Sequence, residues 1–365
     1  MRRANTRRLF QLIADGAGQE TRAGLSRRSG LTAATVSSIV ADLIDTGYVR
    51  EAGLAESTGG KPAMRLALDG AQHRVAAVVL TRHASRFVFS NLIGETLTAP
   101  VSLPAVGSPE DLRAVLTRVA ADGGTELLAI GIEIPGAVDN DRILQCVQLG
   151  LEDVDVRAIA ADLTAAPTYL INDADADALR EYAFRSGDAP NVLCLNVGDG
   201  VGAGMVIDGA LYRGEHARAG ELGHVRVDFG DDALPCPCGQ VGCLERYVGL
   251  RFVFDLPLEE DLDAVDLEHL ASAPAHAASV ERMALRLANN VRLLSAVLDI
   301  ETVILGGALP RLGDEVLEKV RRAAESLSPV GATTIALDFA RISPEDRFRG
   351  AAQHAVRERL GIVRS

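Results

Sequence analysis

The sequence predicts an α/β chain in two parts: an N-terminal winged helix-turn-helix, followed by a larger α/β domain with two lobes. Residues 1–65 combine helical spacing of apolar residues with an excess of basic ones. From about residue 74 onward, apolar runs bounded by turn residues are typical of buried strands. Such strands occur twice, each time with Gly-rich turns and helices. The repetition indicates two lobes of one ATPase-like domain with a cleft between them.

The composition is that of a soluble globular protein, since 48% of the 365 residues are apolar and 24% are charged. No run of eighteen apolar residues is present, so we expect no membrane span. The basic start, "MRRANTRRLFQLIADG", lacks both the long apolar segment and the small-residue cleavage site of a secretory signal. Few, clustered cysteines then predict a protein of the reducing cytoplasm.

The charge is distributed unevenly along the chain. Residues 1–65 contain ten arginines and lysines against six acids, a net charge of +4. The remaining residues carry −17, which gives the chain its formal charge of −13. A basic segment joined to an acidic body suggests a nucleic-acid partner for the first part only. An arginine-rich surface without a partner would show the same charge.

The basic segment has the pattern of a helix-turn-helix. "NTRRLFQLIADG" has helical apolar spacing and ends near Gly16, and "TRAGLSRRSG" predicts a short second helix closed by Gly30. "LTAATVSSIVADLIDTG" predicts a third helix with Thr32 as N-cap. The tight turn "SGLT" between the last two helices indicates that the third helix is the recognition helix, which contacts DNA bases. After Gly47, "YVREAGLAESTGGKPAMRLALD" predicts a β-hairpin, the wing.

Basic and small polar side chains of this segment are the predicted DNA contacts. The start of the third helix carries small residues, which let the backbone approach a groove and offer hydroxyls to phosphates or bases. Basic residues on the second helix and at the wing tip can reach phosphate. The predicted DNA-binding residues are Arg27, Arg28, Thr35, Ser37, Ser38 and Lys61. The alternative is a plain three-helix bundle with a hairpin, which the charge and the order of elements disfavour.

Three of the five cysteines lie within "CPCGQVGC", residues 236–243. A Cys-x-Cys pair is too close for an easy disulfide, and three cysteines cannot all pair. Cys146 and Cys194 lie alone in apolar stretches and are expected in the core. A tetrahedral zinc site needs four N or S ligands, so the cluster is one ligand short. His224, twelve residues upstream in "GELGHVRVD", is the candidate for the fourth.

The ordered motifs resemble those of the ROK family (repressors, open reading frames, kinases) over nearly the whole chain. They are "SRRSGLTAATVSSIVADLIDTGYV", "STGGKP", "GIEIPGAVD", "INDADADALRE", "GDGVGAG", "AGELGHVRVD", "CPCGQVGCLE" and "VILGGAL". "GELGH" followed by "CPCGQVGCLE" makes the set specific. The resemblance implies an actin/hexokinase-like (ribonuclease H-like) fold with a zinc knuckle. The implied ligands of one structural zinc per chain are His224, Cys236, Cys238 and Cys243.

The predicted domains are a winged helix-turn-helix at residues 1–70 and an effector domain at residues 71–365. Lobe 1 is expected at about 71–187 together with a C-terminal helix at about 345–365. Lobe 2 is expected at about 188–344.

The resemblance also implies a sugar site. In family members that bind sugars, an Asn-Asp pair, the Glu and His of the "GELGH" motif and the Glu after the last Cys contact hydroxyls. The matching residues here are Asn172, Asp173, Glu221, His224 and Glu245. Carboxylates and an amide suit this role because each can make two hydrogen bonds to vicinal hydroxyls. In the family's kinases the Asp is the general base, whereas a simpler interpretation makes the Asn-Asp pair a helix cap.

The phosphate loops depart from those of the family's kinases. Their first loop is Asp-x-Gly-Gly-Thr after a strand, but here "TRHASR" follows "VAAVVL" and offers neither an acid nor a glycine. The second loop, "GDGVGAG", keeps its glycines, but Asp199 stands where the kinases usually carry Thr. We expect its charge to repel a triphosphate. The sequence therefore predicts no kinase activity and no catalytic residue.

These features together predict a DNA-binding transcriptional regulator, expected to be a repressor, that senses a sugar or sugar derivative and controls carbohydrate-metabolism genes. Its expected partners are operator DNA, a sugar effector and a second copy of the chain, as a homodimer or a dimer of dimers. One alternative is a bifunctional ATP-dependent sugar kinase with a DNA-binding arm. Another is a regulator that responds to a protein partner and binds no small ligand.

Overall fold

The computed structural model describes residues 1–55, 62–139, 141–185, 190–327, 334–341 and 344–362. The chain divides into two compact units, Met1–Ile171 with Glu345–Ser365, and Asn172–Pro344. Residues 172–185 therefore pack with the second unit, whereas the predicted lobe 1 runs to about residue 187. The predicted domain boundaries stay predictions. No helix in the described ranges is both long enough and apolar enough to cross a membrane.

Three helices and a three-stranded antiparallel sheet form the N-terminal part of the first unit. Their bounds are α1 Arg2–Asp15, β1 Glu20–Thr21, α2 Arg22–Ser29, α3 Ala33–Asp45, β2 Val49–Leu54 and β3 Met64–Leu68. The strands lie in the order β1-β3-β2. Helix α2 ends at Gly30 in the left-handed conformation (φ 70°). The Thr32 side chain accepts a hydrogen bond from the Thr35 amide at 3.3 Å, so the predicted N-cap of α3 is confirmed.

The rest of the first unit is an α/β body. Its elements are β4 Arg74–Leu80, β5 Ser85–Ser90, β6 Val101–Leu103, α4 Pro109–Gly123, β7 Leu127–Ile134, β8 Ala137–Asp139, β9 Arg142–Cys146, β10 Leu151–Asp155, α5 Val156–Ala161 and β11 Thr168–Asn172. Five strands form one sheet in the order β11-β7-β4-β5-β6, and β10-β9-β8 form a second, smaller sheet. The predicted cap of α4 is confirmed, since Ser108 accepts from the Asp111 amide at 3.2 Å.

The described residues of the second unit form eleven further α-helices and strands. They are α6 Asp173–Phe184, β12 Val192–Val197, β13 Val201–Ile207, β14 Ala210–Leu211, α7 Glu245–Val248, α8 Leu250–Val253, α9 Leu267–Ser272, α10 Ala277–Leu298, β15 Thr302–Gly307, α11 Asp314–Ser326 and β16 Ala336–Phe339. The chain then returns to the first unit and forms α12, Arg349–Leu360.

The two five-stranded sheets share one strand order. In the second unit the order is β14-β13-β12-β15-β16, which matches β6-β5-β4-β7-β11 of the first. Counted along the chain, the first two strands of each sheet form an antiparallel pair, and the first and fourth strands form a parallel pair: β4 with β7, and β12 with β15. The two strand groups seen in the sequence are therefore two copies of one topology.

A glycine brings a helix close to each sheet. At Gly131 of β7 a Cβ would overlap the Ala351 carbonyl of α12, and at Gly204 of β13 it would overlap the Ala174 carbonyl of α6. Gly204 therefore serves close packing of α6 and not a phosphate loop. By contrast, Gly198 in the preceding turn has open space around it.

Candidate ligand site and metal site

The Asn-Asp pair lies at the N-terminus of α6, where β11 ends. The Asn172 side-chain oxygen accepts hydrogen bonds from the amides of Ala174 (2.9 Å) and Asp175 (3.3 Å), so Asn172 is the N-cap. One Asp173 carboxylate oxygen also accepts from the Ala174 amide at 2.9 Å. The positive end of the helix stabilises the charge of Asp173. The cap interpretation thus holds for Asn172, while the half-buried Asp173 adds a carboxylate at the same place.

The loop that carries Glu221 is held against β13 by its neighbouring glycine. Gly220 has φ +90°, and a Cβ there would overlap the Ala203 carbonyl. The Ala203 amide donates to the Gly220 carbonyl at 2.9 Å, which ties the loop to the strand. Glu221 is exposed and precedes a 3₁₀ turn that ends at His224. A glycine at position 220 is therefore required for Glu221 to lie next to β13.

Glu245 begins α7 beside the same loop. Burial raises the pKa of its carboxyl, and the charge of Glu221 adds to the rise. The His224 ring and a hydrogen bond from the Val201 backbone lower the pKa and partly oppose the shift. A Cβ on Gly223 would lie 3.4 Å from Glu245 Oε2. The structure thus brings Glu245 next to the turn between Glu221 and His224, within the second unit.

Asp175 is a buried carboxylate in this neighbourhood that the sequence interpretation missed. It is 6% exposed, and its Oδ2 lies 3.7 Å from Arg213 Nε. Burial raises its pKa to about 7; Arg213 opposes the shift, while the charges of Asp173 and Glu221 increase it. Because the folded chain holds this proton up to about pH 7, Asp175 stabilises the fold most below its unfolded pKa. That stabilisation is lost as the pH rises through 7.

The three clustered cysteines and His224 converge. Their ligand atoms all lie within 4.8 Å of one another. Cys236 Sγ is 3.8 Å from His224 Nδ1, and Cys238 Sγ is 3.7 Å from Cys243 Sγ. A tetrahedron of thiolates around zinc, with Zn–S near 2.3 Å, has S–S edges of about 3.8 Å. The cluster therefore has the donor atoms and the spacing of a tetrahedral metal site.

Short backbone turns create this cluster. The Cys236 amide donates to the Gln240 carbonyl (2.8 Å) and the Gly239 amide donates to the Cys236 carbonyl (3.0 Å), which closes the turn around Cys238. Gly242 has φ +76°, and a Cβ there would overlap the Asp228 carbonyl. All five cysteines are free of disulfides.

The other two cysteines lie in the core, as predicted. Cys146 and Cys194 are buried, and burial raises the pKa of the Cys194 thiol to about 12. The Cys194 thiol is therefore not available as a thiolate at neutral pH.

The predicted DNA-binding residues lie on two elements. Thr35, Ser37 and Ser38 lie in the first half of α3, where Ser37 and Ser38 are exposed. Arg2 donates to Ser38 Oγ at 3.2 Å. Arg27 and Arg28 lie in the last turn of α2, and Arg28 forms an ion pair with Glu20. Lys61 lies outside the described residues.

The segment in place of the first phosphate loop is a tight hairpin turn. Leu80 of β4 pairs with Ser85 of β5, and Thr81–Ala84 connect them. The Thr81 amide donates to the Ala84 carbonyl at 3.0 Å, and the Ala84 amide donates to Thr81 Oγ1 at 3.2 Å. These two amides are therefore used within the turn and do not point at a phosphate.

Asp199 differs from its sequence interpretation, because its charge is paired. The Arg251 side chain, 3% exposed, donates from Nε to Asp199 Oδ1 at 2.9 Å and from Nη2 to the same oxygen. Arg251 also donates to the carbonyls of Pro257 and Glu260. The expected repulsion of a triphosphate is thus reduced, and the carboxylate instead locks the β12–β13 turn onto α8.

Two sheets of one topology, each packed by a helix, define an actin/hexokinase-type fold like that of sugar kinases. The ROK family pattern matches residues 109–355, and the chain belongs to the ROK family.

Three comparisons describe its relatives. The xylose repressor of Caldicellulosiruptor bescii is 28% identical over 337 residues, which cover 84% of each protein. A ROK family transcriptional regulator, a homolog of the E. coli MLC protein, superposes with a TM-score of 0.83 at 24% identity, over 98% of this chain and 96% of that one. The ROK hexokinase of Thermus thermophilus superposes with a TM-score of 0.64 at 26% identity, over 78% of this chain and 98% of that one.

The Asp199–Arg251 pair generates a prediction about stability. Asp199→Ala leaves a buried guanidinium without its counter-charge, so we expect it to lower the free energy of unfolding by about 3 kcal/mol. Asp122→Ala, which breaks the surface pair Arg118–Asp122, should change it by less than about 1 kcal/mol. Thermal unfolding of both variants measures the difference. Equal midpoints for the two variants would contradict a buried clamp at Asp199.

Proposed function

We propose that this chain is a transcriptional repressor that binds DNA through its N-terminal helices and whose DNA binding responds to a sugar bound by its second unit. The observation that carries the proposal is the extent of the matches. The regulator structure matches 98% of the chain, whereas the hexokinase matches 78% of it. The N-terminal helices therefore belong to the part that the chain shares with a regulator. The name of the xylose repressor makes xylose the first candidate effector.

The N-terminal part is proposed as a winged helix-turn-helix. Helix α3 would enter the major groove, because its Thr32-capped start presents the exposed hydroxyls of Ser37 and Ser38. Arg27 would bind phosphate, as would Lys61, which the sequence predicts at the wing tip. Arg28 would bind phosphate only if it broke its ion pair with Glu20. A DNA-binding role places the protein in the cytoplasm. Two-fold operators would require two copies of the chain.

Zinc is the proposed metal. Three thiolates and one imidazole are a donor set typical of structural zinc, and the four protein ligands leave no position for a reacting water. His224 directs Nδ1 toward Cys236, so its Nε2 would carry the proton and could donate to a hydroxyl. His224 could therefore bind the metal through Nδ1 and a sugar hydroxyl through Nε2 at the same time. Zinc would also fix the loop between Glu221 and Glu245.

The sugar is proposed to lie against the carboxylates of the second unit. Asp173, Glu221 and Glu245 would accept hydrogen bonds from its hydroxyls, while the Asn172 amide and His224 would donate. The bifunctional kinase remains the second candidate because the family contains a hexokinase. The Thr81–Ala84 hairpin and the Asp199–Arg251 pair favour binding without phosphoryl transfer.

The metal assignment predicts about one zinc per chain in protein purified without chelator. Cys238→Ser should lose it, because three ligands hold zinc far more weakly than four. Cys146→Ser removes a buried thiol outside the cluster and should keep the metal. Elemental analysis of the three proteins is the measurement. Metal-free parent protein, or full zinc content in Cys238→Ser, would refute the assignment.

The sugar assignment predicts that Asp173→Ala weakens sugar affinity about 10- to 100-fold, since a charged hydrogen bond contributes roughly 1.5–3 kcal/mol. Operator affinity without sugar should not change, because α6 lies outside the N-terminal helices. Glu281→Ala, at a carboxylate 69% exposed on α10, is the control and should change neither affinity. Calorimetry with sugar and anisotropy with operator DNA measure both. Parental sugar affinity in Asp173→Ala would show that the sugar site lies elsewhere.

A further inference from the structure

The core of the N-terminal helices contains one residue from the opposite end of the chain. Ile362, 2% exposed, packs in the cluster formed by α1, α2, α3 and the strands β2 and β3. Leu9, Phe10 and Leu66 are among the buried members of this cluster. Val356 and Leu360 of α12 pack against it as well. The proposed DNA-binding helices therefore do not complete their core with their own residues.

The approach of Ile362 is fixed by the end of α12. Gly361 adopts the left-handed conformation (φ 71°), and its amide donates to the Arg357 carbonyl at 2.7 Å. A Cβ at Gly361 would lie 2.6 Å from Arg7 Nε, so the Arg7 side chain of α1 lies directly over this cap. The turn at Gly361 is what directs Ile362 into the cluster.

The other end of α12 is fixed on the sheet. Ala351, Ala352 and Ala355 are buried, and the Ala351 carbonyl comes so close to β7 that only Gly131 leaves room for it. A helix packed in this way moves as a rigid body, because close-packed interiors do not deform continuously. Any displacement of α12 must therefore move α1 with it or withdraw Ile362 from the cluster.

Helix α12 belongs to the first unit and follows the second unit directly in the chain. The second unit ends at Pro344, and α12 begins at Arg349. That unit contains Asp173, Glu221 and Glu245, the proposed sugar ligands. The segment that follows the proposed sugar-binding unit in the chain is thus the one whose last residues pack in the N-terminal core.

We propose that Ile362 is a positioning residue of the DNA-binding helices and that α12, through it, transmits sugar binding to them. This inference rests on the proposed function. A change of the second unit on sugar binding would shift α12, and the packed Ile362 would convert that shift into a change in the orientation of α1. Truncating Ile362 should separate the two events, because α12 could then move without α1.

The test is Ile362→Ala in the full chain, with operator affinity measured by anisotropy with and without saturating xylose. For the parent we expect a sugar-induced change in operator Kd of about 5- to 150-fold, the usual range for coupled sites. In Ile362→Ala that ratio should fall at least about fivefold while the Kd for xylose stays the same. Ile362→Val, which keeps a branched side chain in the cluster, should restore it.

Two controls separate positioning from simple loss of stability. Ile13→Ala makes the same truncation in the same cluster, at a residue of α1 that is 1% exposed. It should lower operator affinity but keep the parental sugar ratio. Glu358→Ala, on the exposed side of α12, should change neither.

Each outcome bears on one of the two claims. A parental ratio in Ile362→Ala, or an equal loss of ratio in Ile13→Ala, overturns the role of Ile362 and leaves the proposed function standing. A parent that binds operator but ignores every sugar of a pentose and hexose panel overturns the proposed function, and with it the transmission. Amide exchange then tests the packing by itself. Faster exchange in α1 but not in α6 of Ile362→Ala supports it, and unchanged exchange in α1 refutes it.

Discussion

The close contact between α6 and β13 is the constraint on which the candidate site depends. Gly204 allows the helix backbone to lie directly on the strand, and this fixes where α6 begins. Asn172 and Asp173 occupy that beginning, and Gly220 brings Glu221 to the same strand because its carbonyl accepts from the Ala203 amide. A side chain at either glycine would displace the two carboxylates relative to each other.

Buried charges hold α6 in its orientation. Asp177 and Arg180 form an ion pair although both are almost fully buried, and Glu181 accepts the Arg341 amide at 2.7 Å. Burial raises the pKa of Glu181, and the Arg341 amide opposes that rise. Removing one partner of such a pair leaves an uncompensated charge, so rotation of the helix is strongly disfavoured. The raised pKa of Asp175 belongs to the same poorly solvated environment.

Much of this arrangement could be predicted from local sequence. Periodicity and turn residues identified the two strand groups, and the caps at Thr32 and Ser108 followed from short-range preferences. The cysteine spacing indicated a metal site with His224 as candidate fourth ligand, and the family resemblance implied the full ligand set. Contacts between distant residues could not be predicted. Arg251 is 52 positions from Asp199, and Ile362 joins a core that begins at Leu9. Neither contact leaves a periodic signal, and Asp175 differs from an exposed helix residue only in its burial.

We propose control of DNA binding, without phosphoryl transfer, by a sugar site on this kinase-type fold. Its most direct measurement follows operator release and ADP formation in one reaction that contains the full chain, operator DNA, xylose or another sugar of the panel, ATP and Mg²⁺. Under this proposal we expect that sugar alone releases the operator, that ATP does not alter the sugar concentration required, and that no ADP forms. ADP formation that depends on the sugar, with operator release only when ATP is present, would contradict it.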